Sequence, residues 1–156
     1  MDGYVLARGL HVLAVVHWIG GVAMVTLVIL PQMRALPPAE RIAMFERLEG
    51  RFGGQAKLSV LVAGLSGLWM LWLTDGWSLF LDPAFWWLHL MVAVWAIFTL
   101  VLFLLEPLIL HCWFHARAVR DPEGTFALVL RMHRALLALS ALAVAGAVQG
   151  AHGGLI

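Results

Sequence analysis

Nine of the ten Lys and Arg residues fall in two stretches, and both stretches lie between long apolar runs. Arg34, Arg41, Arg47, Arg51 and Lys57 follow the first run, and Arg117, Arg120, Arg131 and Arg134 precede the last. Arg8 alone lies elsewhere. A polytopic membrane protein has a reason for this segregation, because short loops rich in Lys and Arg are kept in the cytoplasm. The pattern predicts an integral membrane protein with both basic loops facing in and both termini facing out. In a bacterial cell that is the inner (cytoplasmic) membrane, with the termini on the periplasmic side.

Four uncharged runs are long enough to cross: residues 9–30, 58–74, 83–105 and 135–156. About 20 apolar residues span the hydrocarbon core as a helix, and an isolated strand cannot satisfy its backbone there. The expected fold is all-α, a membrane four-helix bundle in a single transmembrane domain over residues 1–156. Its spans lie near 5–30, 55–74, 84–110 and 127–150. Only 12% of residues are charged, against about 25% in a soluble domain. Eight Trp suit a chain anchored at two water–lipid interfaces. No basic face is present for nucleic acid. The single cysteine, Cys112, excludes an internal disulfide and a Cys-rich metal site. The run after Arg8 is too long for a cleavable signal peptide.

The connections carry their own signals. Pro31 and Pro37–Pro38 are expected to end the first helix. Ile42, Phe45 and Leu48, with charges between them, predict a short amphipathic helix on the inner surface. Gly50, Gly53 and Gly54 are expected to break the chain before the second span. The third helix is expected to run past Pro107 to Arg120, with a turn at Asp121, Pro122 and Gly124 and a cap at Thr125. The loop 75–83 is acidic and aromatic, as an external loop can be.

Function depends on the polar groups left at membrane depth, which are costly and usually mark sites. His11 and His89 lie one to two turns below the outer surface on different helices, and His17 lies deeper. His11 and His17 are six residues apart, about 120° around the helix, so they are expected to face different partners. Two imidazoles at one depth suit the axial positions of a haem b, with the macrocycle between the helices. The same pair, His11 and His89, suits copper or zinc, although no Cys or carboxylate completes a tetrahedral site. Glu106 is the only acid inside a span and can pair with Lys57 or pass protons. His111, His115 and His133 sit near the inner interface, and His152 in a Gly-rich tail. Ser59, Ser66 and Ser140 lack the partners that acyl transfer needs.

Residues 8–21, with Leu10-His11 followed by His17-Trp18 and Gly20-Gly21, resemble the first helix of the CopD/HemJ group of small membrane proteins. The resemblance continues in Phe45-Glu46-Arg47-Leu48, Lys57, Trp87-Leu88-His89-Leu90 and His111, and covers most of the chain in order. It implies a four-helix bundle. From the HemJ-type protoporphyrinogen oxidases it implies b-type haem with His11 as a ligand, and it makes His89 and Lys57 functional positions. Two positions depart from the HemJ pattern: Met91 stands where a basic residue is usual, and His133-Arg134-Ala135 where an Asn-Glu pair is usual. From the copper-resistance members it implies copper handling, although the methionines form no transport ladder and serve as core filler.

Three functions are therefore expected to compete. The first is a haem-b redox protein passing electrons between a quinone or tetrapyrrole and an acceptor, with His17 supporting a ligand or holding a second cofactor and Lys57, Glu106 and His111 handling protons or haem propionates. The second is a copper-handling protein, and the third a structural or assembly subunit without a site. A bundle this small can form a homodimer or join a larger membrane complex.

Overall fold

The computed structural model describes residues 2–151, apart from the side chains of residues 39 and 109–111. His152 and the end of the Gly-rich tail lie outside the described residues. No strand occurs among them. Four helices are long and apolar enough to cross a membrane, over Gly3–Met33, Glu40–Leu73, Pro83–Leu108 and Pro122–Ala151. The chain has the build of a multi-pass membrane protein.

Helix α1 runs over Gly3–Met33, capped at its start by Asp2, whose carboxylate accepts the Tyr4 N–H at 3.2 Å. Pro31 does not end it. The five residues Val25–Ile29 form a wide turn, in which the Leu30 N–H reaches back to the Val25 carbonyl. Such a turn absorbs the ring of a following proline. Thr26 fills part of the loosened ladder by donating to the Val22 carbonyl at 2.6 Å.

Helix α2 covers Pro38–Leu73 without a break. The expected surface helix is only its first turns, and Gly50, Gly53 and Gly54 do not interrupt it. Each glycine costs about 1 kcal/mol of helix propensity, which packing along a long span outweighs. The connection to the third helix is made of two 3₁₀ turns, Gly76–Leu81 and Pro83–Phe85. It opens on Asp75 at φ 50°, the left-handed region.

Helix α3 occupies residues 86–120 and does run past Pro107, which sits inside a second wide stretch, Val101–Leu110. Helix α4 is Pro122–Ala151. Its cap is Asp121 rather than Thr125. The Asp121 carboxylate accepts the Gly124 N–H at 2.9 Å, and Thr125 Oγ1 donates to the Asp121 carbonyl at 2.7 Å.

In lipid, burying apolar side chains does not by itself drive helices together, so close approach at small residues carries the packing. Helices α1 and α2 form the most extensive pair, followed by α3 with α4. A Cβ at Gly21 would overlap Phe52, at Gly64 Trp95, and at Gly150 Trp87. One core surrounds Trp18, which meets Phe98 edge-on at 4.7 Å. A second core, Leu30 and Met33 against Phe126, Val129 and Leu130, lies at the end that carries the basic loops. The two loops meet there. Buried Arg41 contacts Glu123 at 2.9 Å, donates to the Arg34 and Leu36 carbonyls, and lies 4.8 Å over the Phe126 ring. His115 Nδ1 lies 3.1 Å from Glu46 Oε1.

Candidate histidine site at the seam of the first two helices

Ala7, Ala14, Trp18 and Val22 form the buried stripe of α1, at helical spacing. His11 stands at its edge, half-buried, and His17 further round, exposed. Opposite them, Ser59 and Ser66 lie seven residues apart on one buried face of α2.

Each serine hydroxyl can donate to its own helix: Ser59 Oγ lies 3.0 Å from the Gln55 carbonyl, and Ser66 Oγ faces the Val62 carbonyl. Their oxygens remain as acceptors. His17 Nδ1 sits 2.8 Å from Ser59 Oγ. His11 Nδ1 sits 2.8 Å from the Ala63 carbonyl and 3.3 Å from Ser66 Oγ. The Ala63 carbonyl can only accept, so Nδ1 carries the hydrogen in His11, whereas the Ser59 hydroxyl can donate or accept and suits either His17 tautomer. In the neutral His11 imidazole Nε2 is then a bare lone pair. Neither Nε2 has a hydrogen-bond partner among the described residues.

The two histidines take different partners, as their 120° of separation implies, yet those partners lie on one stripe of α2. Helices α1 and α2 lie antiparallel, and an imidazole reaches back from either edge of the contact. The His11 ring also lies against Gly67, where a Cβ would stand 3.4 Å from its Cε1. His17 borders an open groove of about 400 Å³, lined by Leu10, Leu13, Ala14, Gln55, Leu58, Ser59 and Val62.

His89 is placed differently. Its Nδ1 faces the Phe85 carbonyl and its Nε2 the Phe80 carbonyl, each at 3.1 Å, and the ring meets Phe80 edge-on at 5.6 Å. It ties the 3₁₀ connection to α3 and makes no contact with His11 among the described residues. A neutral imidazole donates to only one of two such carbonyls.

Lys57 Nζ lies 2.8 Å from Glu106 Oε2, so Glu106 pairs with Lys57. The contact is an ion pair rather than an aligned hydrogen bond. His111 lies on α3, and its side chain is outside the described residues. His133 bonds the Val129 carbonyl of its own helix at 2.9 Å. No group of three or more His, Cys, Asp or Glu suited to a metal ion occurs among the described residues.

Ser59, Ser66, Gln55 and Gly67 were not read as site residues in the sequence. A signal was present: histidines six apart on one span and serines seven apart on the next match in antiparallel register. Comparison with family models, with characterised proteins and with solved structures returned no match.

Proposed function

We propose that this chain is a haem-b-binding redox protein of the inner membrane, CopD/HemJ-like, with His11 as an axial ligand. The observation that carries the reading is the fixed His11 ring. Metal-ligating histidines commonly donate one ring N–H to a backbone carbonyl, which sets the tautomer and orients the other nitrogen. His11 does this through Ala63 and keeps a Nε2 lone pair. Gly67 leaves room beside the ring. Trp18 Nε1, two turns further along α1 and buried without a partner among the described residues, is a spare donor for a polar edge.

Bound b haem supplies one-electron redox chemistry, and the protein holds and tunes it. His11 is the residue to hold the iron. His89 can serve as second ligand only by giving up the Phe80 carbonyl or the Phe85 carbonyl. Lys57 offers a neutralised ion pair rather than a free cation to a propionate. The positions of the basic residues support a topology with both termini on the periplasmic side.

The test is the absorption spectrum of detergent-purified protein, oxidised and dithionite-reduced, with a pyridine haemochrome assay. A sharp reduced α-band that is lost in His11→Ala supports the reading. A colourless protein made with ample haem supply removes it. Copper analysis then separates metal handling from a purely structural subunit.

A further inference from the structure

We propose that Arg131 and Arg134 hold the phosphate of an anionic phospholipid seated on the lipid-facing stripe of α4. Neither residue belongs to the haem reading, and the lipid is held whether or not haem is bound. Helix α4 buries Thr125, Phe126, Val129 and Leu130, and further along Ser140 and Ala143. The opposite stripe is exposed: Ala127, Arg131, Arg134, Ala138 and Leu142 recur at three- and four-residue spacing. An uncharged run begins at Ala135, and about 20 apolar residues span the hydrocarbon core. Arg134 therefore lies at the edge of the hydrocarbon on the basic-loop side, and Arg131 about 4.5 Å outside it. A long basic side chain at this level carries its head among the lipid headgroups.

The acids of this end are already taken. Lys57 holds Glu106, Arg41 holds Glu123, His115 meets Glu46, and Arg117 lies 3.7 Å from Asp121. Glu49 is engaged as well. Glu40 stands in the first turn of α2, where the helix dipole favours an acid. Beyond Glu123, α4 carries no acid. Arg131 and Arg134 are thus left without a hydrogen-bond or ion-pair partner among the described residues. His133, between them in sequence, lies on the buried side and bonds its own helix. Two like charges one turn apart repel, so the pair calls for an anion from outside the chain. A guanidinium is always charged and offers only donors, in a fork that matches phosphate oxygens. One phosphate can therefore bridge both side chains. The acyl chains then run down over Ala138, Leu139 and Leu142, all exposed. A zwitterionic headgroup would bring an ammonium back towards two cations, so a net-negative headgroup fits. A second copy of the chain would bring the same two cations to a twofold contact.

The experiment is native mass spectrometry of the full chain, released from detergent micelles titrated with dioctanoyl phosphatidylglycerol, dioctanoyl phosphatidylcholine or inorganic phosphate. A first phosphatidylglycerol is expected to bind each chain more tightly than phosphatidylcholine does. Arg131→Gln and Arg134→Gln should each weaken it about fivefold, the worth of one basic residue at an anionic surface, and the double variant about 25-fold. Arg34→Gln removes an equal charge from an exposed position at the same end of the bundle and should leave binding unchanged. If the double Gln variant fails to fold, the double Lys variant keeps both charges but loses the fork, and should bind several-fold more weakly than the parent. Equal binding of phosphatidylcholine, an equal loss in Arg34→Gln, or binding indifferent to the double variants overturns the proposal. Inorganic phosphate that displaces the lipid also overturns it, by making the pair a site for a soluble anion.

Discussion

Replacing Lys57 by Met will destabilise the bundle far more than replacing Lys57 and Glu106 together. At 2.8 Å two unit charges attract by about 6 kcal/mol at an effective dielectric of about 20. Desolvation offsets most of that attraction, so the intact pair contributes little net stability. The orphan is the costly state. With its partner gone, Glu106 sits with its side chain only 24% exposed. Removing one partner of a buried pair costs about 3–5 kcal/mol. The acid can relieve part of this by taking up a proton. We therefore expect a loss of about 2–4 kcal/mol for Lys57→Met, a similar loss for Glu106→Gln, and a double variant within about 1 kcal/mol of the parent. The assay is a double-mutant cycle by equilibrium unfolding in mixed micelles, followed by circular dichroism. Single variants each within about 0.5 kcal/mol of the parent, and additive, would refute the argument.

Other substitutions test other parts of the structure. Gly67→Ala places its Cβ 3.4 Å from His11 Cε1, ordinary contact with a small adjustment, and should leave haem content unchanged, whereas Gly67→Leu should turn the ring and abolish the reduced α-band. Arg41→Met strips donors from the Arg34 and Leu36 carbonyls and should cost about 2–3 kcal/mol, measured by thermal unfolding in detergent. Its exposed partner Glu123 should tolerate Gln with little change, since a pair with one end in solvent contributes about 0–1 kcal/mol. Asp75→Gly relieves the left-handed conformation after α2 and should stabilise by about 0.5–1 kcal/mol; a drop in melting temperature would contradict it.

The four helices were legible because each apolar run meets the thickness of the hydrocarbon core, a demand that composition answers directly. Their ends were not. Pro31, Gly50, Gly53 and Gly54 are breakers in water, where an interrupted backbone finds new partners. A spanning helix has no such alternative, and the chain keeps its helical ladder through all of them. Of the site, His11 and His17 were visible as ionisable groups inside a span. Their partners depend on the antiparallel register of α1 against α2, which only packing sets. The orientation of His89 depends on where the Phe80 carbonyl falls at the end of a 3₁₀ turn, which is beyond pattern reading.

The wide turn at Val25–Ile29 makes α1 sensitive to length as well as to chemistry. A turn closed from Leu30 to Val25 holds one residue more than an ordinary α-turn. Above it, Trp18 and Val22 address one core, and below it, Leu30 and Met33 address the other. Deleting one residue from the wide turn would leave a smooth α-helix with Leu30 and Met33 still facing Phe126 and Leu130, whereas a deletion elsewhere between the two cores would swing one half by about 100° against the other. A deletion scan along α1 should therefore divide at this point. Losses upstream misalign the histidines against their serines, whereas a one-residue loss within the wide turn is absorbed and leaves both ends in register. The helix is a two-part ruler, and the extra residue is the slack between its scales.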